Sequence, residues 1–198
     1  MTCPYKYANE IEYDFSLLKP EDYDKLQAFS CGNEVLDAYI HRDVIKKENE
    51  HFYVNCEDGL HFKIWDKKTG AILGFVSLAA SAIVFNVDTT YTTHLSAVKI
   101  DVFAINEKYQ KLHYDEESAT DPDSQNHYYF SDEVMGSTLL HIKNTSENNV
   151  LINYIFLYSD KEKVHFYERN HFERFHRFMV GENTQEIRNN IPMYIRLE

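Results

Sequence analysis

The stretch "SAVKIDVFAINEKYQKLHYDEE", Ser96 to Glu117, joins an apolar run to a charged one without a glycine. Its first part alternates as a strand does. Val98, Ile100, Val102 and Ala104 share one face, and Lys99, Asp101, Phe103 and Ile105 share the other. A carboxylate inside such a strand needs a reason to be there: Asp101 either pairs with Lys99 on the same face or accepts a proton in a reaction. Beyond the strand, "HYDEESATDPDSQNHYY" has no hydrophobic periodicity and is too long for an ordinary connection. A surface insertion or mobile lid over about 114–130 is expected there.

Working outward, "PEDYDKLQAF" and "CGNEVLDAYIHRDVIKK" read as helices. In the second, Leu36, Ile40 and Val44 recur at i+4, Val35 and Tyr39 widen the stripe, and Asn33 or Ser30 caps the start. "LHFKIWD" alternates, Lys67–Gly70 supplies a turn, and "AILGFVSLAASAIVF" continues as a strand buried on both faces. "SDEVMGSTLLHIKN" restores helical spacing over Ser131–Asn144. "VLINYIFLYS" is a buried strand, and Ser159 with Glu162 matches a capping box opening the helix "DKEKVHFYERN". "PMYIRL" closes the chain as a strand. Apolar strands mixed with amphipathic helices indicate an α+β fold in one domain, 1–198, with a sheet between helices.

The 198 residues carry Lys+Arg 20 against Asp+Glu 32, a net charge of -12. Proteins that track phosphate backbones gain affinity through Lys and Arg, so this balance argues against nucleic acid and suits an amine or basic peptide. Cys3, Cys31 and Cys56 form no CxxC pair, which argues against a disulfide framework or zinc ribbon. The first ten residues lack the basic start and apolar run of a signal peptide. No apolar stretch approaches the roughly 20 residues needed to span a bilayer. A cytoplasmic protein without a membrane partner is expected. His165, His171 and His176 are spaced by six and five, which does not place them on one helical face as zinc ligands, so no metal is expected.

The element order, together with particular residues, resembles the GNAT family of acyl-CoA-dependent N-acetyltransferases. "FSCGNEVLDAYIHRDV" is similar to the early helix of the bacterial toxin-like branch, with its Phe-x-Cys-Gly-x-x-x-Leu-Asp pattern. "GAILGFVSLAASAI" is similar to that branch's hairpin strand, and "VHFYERNHF" to the family's Phe-Tyr-x-x-x-Gly-Phe ending. The correspondence runs in order from about Phe15 to Leu197.

The resemblance implies a splayed mixed sheet with helices on both faces, and acetyl-CoA as co-substrate. Pantetheine would lie between the strands Ala97–Ile105 and Val150–Tyr158, gripped by the backbone of Phe103, Ala104 and Ile105. Tyr167 occupies the position of the usual proton donor to the departing thiolate. A phenol with pKa of about 10 gives up a proton to a thiolate yet stays neutral at pH 7. Asp101 is the candidate base, with a salt bridge to Lys99 as the other reading.

The family's pyrophosphate loop, Gln/Arg-x-x-Gly-x-Gly/Ala, aligns with Gln110, Lys111, Leu112 and His113. His113 and Asp115 stand where its glycines belong, and the helix beyond opens with Ser131, Asp132 and Glu133. His171 stands at the glycine of the Phe-Tyr motif, and Asn170 is the residue expected to take the left-handed turn. Two functions follow. One is acetyl transfer to a primary amine of a protein or small molecule, with aminoacyl-tRNA, the substrate of toxin-like relatives, left open. The other is a degenerate GNAT-like domain that kept the fold as a binding module. Oligomeric state, a homodimer included, and an antitoxin-like partner are left open by the sequence.

Overall fold

Asp66 ends one strand and organises the turn that starts the next. Its N–H donates to the Ala71 carbonyl (3.0 Å) and the Gly70 N–H donates back to the Asp66 carbonyl (2.7 Å). Its buried carboxylate accepts from the Tyr5 hydroxyl (2.7 Å), the Lys68 N–H (2.8 Å) and the Thr69 hydroxyl (2.6 Å). Gly70 takes a φ of 71°, open to glycine at no steric cost. The expected hairpin follows, as β4 (Leu60–Asp66) and β5 (Ile72–Asn86).

The computed structural model describes residues 3–86, 92–121, 123, 126–175 and 189–197. Around that hairpin the chain forms β1 (Tyr13–Leu17), α1 (Tyr23–Gln27), α2 (Glu34–Tyr39), β2 (Ile45–Glu48) and β3 (His51–Val54). After it come β6 (Thr92–Ile105), α3 (Glu116–Thr120), α4 (Phe130–Asn148), β7 (Tyr154–Ser159), α5 (Val164–Arg169), β8 (Glu173–Arg174) and β9 (Ile191–Arg196). The 7-stranded sheet runs β1-β4-β5-β6-β7-β9-β8, and β2 pairs with β3 in a sheet of its own. β6 and β7 are parallel through Ala97↔Tyr154, Val98↔Ile155 and Lys99↔Phe156. β1 with β4, β7 with β9 and β8 with β9 are antiparallel. This is the expected α+β class: a mixed sheet flanked by helices.

The chain divides into two compact units, Met1–Ser77 with Val102–Ser137, and Leu78–Asp101 with Thr138–Glu198. In the first, Leu18, Leu26, Phe29, Ile40, Val44, Ile45, Ile72, Phe75 and Ala104 form the core. Asn33 caps α2, its side chain accepting from the Val35 (3.1 Å) and Leu36 (3.2 Å) N–H groups. Ile40 and Val44 are buried as the i+4 stripe requires, but Val35 is 81% exposed and does not widen it. The helix also ends before "IKK". α2 gives way to a π turn at Ile40–Val44, and Ile45 starts β2. The β-branched pair Val44–Ile45 favours an extended chain. Asn49 and Glu50 then turn it back with φ of 46° and 66°, the double positive φ of a type I′ hairpin. Lys63 on β4 pairs with the buried Asp22 carboxylate (2.5 Å), tying the turn before α1 to the sheet.

The expected insertion carries local structure of its own. The Asp115 carboxylate accepts from the Ser118 N–H (2.8 Å) and starts α3. The base is closed by Tyr114 N–H to the Tyr128 carbonyl (2.8 Å) and Phe130 N–H to the Leu112 carbonyl (2.9 Å). The Ala8 and Asn9 N–H groups donate to the carbonyls of His113 (2.8 Å) and Tyr114 (2.9 Å). These ladder-like main-chain bonds need no hydrophobic period. Pro122, Ser124 and Gln125 within it lie outside the described residues.

In the second unit Ile83, Ala97 and Phe156 form a core with Leu95, Tyr154, Tyr158, Phe175 and Tyr194 packed against it. The strand expected from Val150 begins only at Tyr154. α4 runs on to Asn148, and the Thr145 carbonyl accepts from both Asn149 (3.0 Å) and Val150 (3.3 Å), so Val150 closes a helix. Asp160, not Ser159, caps the next helical turn: its carboxylate accepts from the Glu162 N–H (3.0 Å), while the Ser159 hydroxyl donates to the Asp160 carbonyl (2.8 Å).

Candidate active site

The end of β6 approaches β5 closely, and Gly74 permits it. A Cβ built on Gly74 would lie 3.1 Å from Ile105 Cδ1 and 3.3 Å from both the Ala104 carbonyl oxygen and Ile64 Cδ1. The Asn106 N–H donates to the Leu73 carbonyl (2.8 Å). Backbone groups alternate sides along a strand, so those of Ile105 and Phe103 point to the edge away from β5. Ala104 and Ile105 are buried and Phe103 is half-buried.

From there the chain turns tightly. Tyr109 N–H donates to the Asn106 carbonyl (2.8 Å), Leu112 N–H to the Tyr109 carbonyl (3.1 Å) and Lys108 N–H to the Asn106 side chain (3.2 Å). Tyr109 is buried beside Phe130. Among the described residues the backbone N–H groups of Gln110, Lys111 and His113 have no protein acceptor. A loop without glycine therefore still offers a run of main-chain donors, with the exposed Lys111 among them. The Gln110 side chain turns elsewhere: Nε2 donates to the carbonyls of Ile105 and Cys31, each at 2.8 Å. The half-buried Leu112 closes the base of the excursion through its carbonyl. The His113 ring packs edge-on to His127 (5.0 Å) and against Tyr129 (4.7 Å). Its buried Nδ1 has no hydrogen-bond partner among the described residues.

The acidic start of α4 is satisfied by its own surroundings. The Asp132 carboxylate, buried, accepts from the Tyr129 N–H (2.9 Å). Glu133 accepts from the hydroxyls of Tyr13 (3.1 Å) and Tyr128 (3.2 Å). Burial, with the neighbouring Glu133 charge, holds both phenols protonated: Tyr13 is pushed up to about 12 and Tyr128 is raised as well.

The other two candidates lie in the second unit. Asp101 accepts from Lys99 Nζ at 2.6 Å, and Lys99 also sits 5.2 Å from the centre of the Tyr158 ring. Tyr167 is on α5, edge-on to Phe172 (5.7 Å), and burial pushes its hydroxyl up to about 12. The turn after it is made by His171 itself, at φ 68°, while Asn170 stays at φ −91°. Asn170 is held by its own side chain, which donates to the Phe166 carbonyl (2.8 Å), so the left-handed residue falls where the motif has glycine. Phe103 to His113 are thus gathered in one unit, and Asp101 and Tyr167 in the other.

Sequence reasoning missed the role of Ser30 and Cys31. The Asp37 carboxylate accepts from the Ser30 hydroxyl and the Cys31 N–H, each at 2.8 Å. Burial works against that charge, yet these bonds hold the carboxyl below its usual range. Burial and the Asp37 hydrogen bond push the Cys31 thiol up to about 11. The Cys-Gly-x-x-x-Leu-Asp spacing carried this signal, since the carboxylate must reach back to the residues before the helix.

Among the described residues no group of His, Cys, Asp and Glu is arranged to hold a metal ion. His165 is exposed and lies 3.2 Å from Glu168, and His176 lies outside the described residues. No described helix is long and apolar enough to cross a membrane.

This arrangement is a GNAT-like fold, shared with solved bacterial toxins. A bacterial toxin crystal structure matches with a TM-score of 0.63 at 14% identity, over 94% of this chain and 91% of that one. A tyrosine-to-phenylalanine mutant of the AtaT toxin, bound to the C-terminus of the antitoxin AtaR and acetyl-CoA, matches at 0.56 and 15%, over 93% and 92%. AtaT complexed with acetyl-methionyl-tRNAfMet matches at 0.57 and 14%, over 93% and 95%. No family model matches the sequence, and no curated protein does.

Proposed function

We propose that the chain is an acetyl-CoA-dependent N-acetyltransferase acting on a primary amine, with residues 1–198 working as one catalytic domain. The observation that carries this reading is the end of β6. Its parallel pairing with β7 comprises Ala97–Lys99, and the strand then continues to Ile105 before a turn in which the N–H groups of Gln110, Lys111 and His113 have no protein acceptor among the described residues. In this reading the backbone of Phe103 and Ile105 holds the pantetheine arm, Ala104 between them facing β5 instead, and the turn holds the diphosphate with help from Lys111. A backbone N–H near Ile105 polarises the thioester carbonyl. Tyr167, kept neutral by burial, returns a proton to the thiolate. Asp101 is neutralised by Lys99, so the amine loses its proton to water and Asp101 acts as a charge partner.

The likeness to AtaT, solved with acetyl-CoA and with acetyl-methionyl-tRNAfMet, supports the donor and keeps aminoacyl-tRNA among the acceptors to assay beside basic peptides and small amines. An antitoxin-like partner is likewise a proposal drawn from the AtaT–AtaR complex. The binding-module reading rests on the filled N-terminus of α4, where Asp132 and Glu133 stand against an incoming diphosphate. A thermal-shift titration decides between the two. Acetyl-CoA at 100 times its Kd stabilises by about 2.7 kcal/mol, a plain melting shift. No shift at millimolar acetyl-CoA leaves the binding module.

A further inference from the structure

Gln110 stands at the first position of the proposed phosphate loop, yet its side-chain amide is engaged elsewhere. Nε2 has two hydrogens, and the carbonyls of Ile105 and Cys31 at 2.8 Å take both. One carbonyl ends β6 and the other belongs to the loop before α2, so a single amide ties them together. Two further contacts run beside it. The Glu107 N–H donates to the Ser30 carbonyl (2.9 Å), and the Glu107 side chain lies 3.5 Å from where a Cβ on Gly32 would be. Gly32 itself has a φ of 76°, which keeps the loop tight. On its far side the loop is pinned by Asp37 through Ser30 and Cys31. The loop Ser30–Gly32 is therefore clamped between a helix carboxylate and the end of β6, with Gln110 as the clamp's donor.

The Ile105 carbonyl belongs to the edge facing away from β5, the edge proposed above to pair with pantetheine. With that carbonyl occupied by Gln110, pairing at this residue falls to the Ile105 N–H. We propose that Gln110 is a positioning residue whose amide fixes the Ile105 carbonyl and the Ser30–Gly32 loop together, setting the strand edge that grips the acyl donor, rather than a ligand of the donor's phosphates. This rests on the acetyltransferase reading.

Two measurements test it. Hydrogen exchange in the full chain reads the clamp: in Gln110→Ala the amides of Cys31 and Glu107 exchange faster, and in Gln110→Arg, which keeps two donors, they stay protected. Unchanged exchange in Gln110→Ala overturns the clamp. Turnover with acetyl-CoA and with S-acetylpantetheine, which lacks the diphosphate, reads its purpose. Gln110→Ala lowers kcat/KM by roughly tenfold with both donors, the loss of about one net hydrogen bond, and Gln110→Arg restores it. A loss confined to acetyl-CoA makes Gln110 a phosphate ligand and overturns the proposal, as does no loss with either. A wild-type chain inactive with both donors, and unshifted by acetyl-CoA, removes the acetyltransferase reading and the positioning role with it, while exchange still decides the clamp.

Discussion

Lys99 Nζ lies 2.6 Å from Asp101 Oδ1, two residues apart on one face of the same strand. An ion pair held by its own strand explains why a carboxylate sits at that position without asking it to do chemistry. Replacing Asp101 by Asn should then leave kcat within about tenfold of wild type and cost at most about 1 kcal/mol, as for a partly exposed pair. Steady-state kinetics with the accepted amine check this. A fall of about 10²–10⁴-fold would reinstate Asp101 as the general base.

Tyr167 differs from Asp101: its ring packs against Phe166 and Phe172, and its hydroxyl has no hydrogen-bond partner among the described residues. Burial alone raises its hydroxyl to about 12, so the phenol is protonated throughout the working range. Tyr167→Phe should lower kcat by about 10²–10⁴-fold while leaving the acetyl-CoA Kd nearly unchanged. In wild type no alkaline loss of rate below pH 10 should trace to this residue. A phenylalanine variant with full turnover removes Tyr167 from the mechanism.

Gly74 marks how closely the two central strands approach. Alanine there would put a methyl 3.1 Å from Ile105 Cδ1 and 3.3 Å from the Ala104 carbonyl. The side chain of Ile105 can give a little; the carbonyl of a strand cannot. Gly74→Ala should cost about 1–3 kcal/mol, read as a lowered denaturant midpoint. It should also weaken acetyl-CoA binding, because the displaced segment is Ala104–Ile105.

Long periodic signals were legible in the sequence. Alternation located β4 and β6, the Leu36–Ile40–Val44 spacing gave the helical face, and turn chemistry placed the hairpin at Lys67–Gly70. What escaped was local and polar. The β2–β3 hairpin turns on Asn49–Glu50, where the usual signal would be Asn-Gly. The excursion after His113 is closed by main-chain bonds that no side-chain pattern records. At the site, missing glycines left open whether a diphosphate is held differently or not at all, because donor capacity depends on which backbone N–H groups the turn leaves unused. Gln110 could be counted as a loop residue from its position, but its two carbonyl partners are 5 and 79 residues away.

Asp66 makes stability depend on pH. Burial works to raise its pKa, but bonds from the Thr69 hydroxyl, the Tyr5 hydroxyl and the Lys68 N–H hold it below the ordinary carboxylate value. A carboxyl lowered in the folded state binds its proton less readily than in the unfolded chain, whose pKa is about 3.9. Its contribution is complete above that value and is lost as pH falls through the folded pKa. Urea unfolding between pH 7 and pH 3 should show stability falling at the acid end. Asp66→Asn should be less stable at pH 7 and show a shallower acid slope. Parallel slopes would place the acid sensitivity elsewhere.

His171 occupies the left-handed region at φ 68°, where a side chain carries a cost that glycine avoids. Its N–H donates to the Glu168 carbonyl (3.0 Å) and the Phe172 N–H to the Tyr167 carbonyl (3.0 Å), so the turn is fixed by the helix end whatever residue sits there. The imidazole is exposed. Removing it relieves strain at little loss of packing, and His171→Gly should stabilise the chain by about 1 kcal/mol. The opposing term is glycine's greater freedom in the unfolded chain, which sets a limit on the gain. If the imidazole also serves the reaction, His171→Gly will melt higher yet turn over more slowly. If it is only a tolerated replacement for glycine, the melting temperature rises and kcat holds. A lower melting temperature would show that the side chain makes a stabilising contact outweighing the strain.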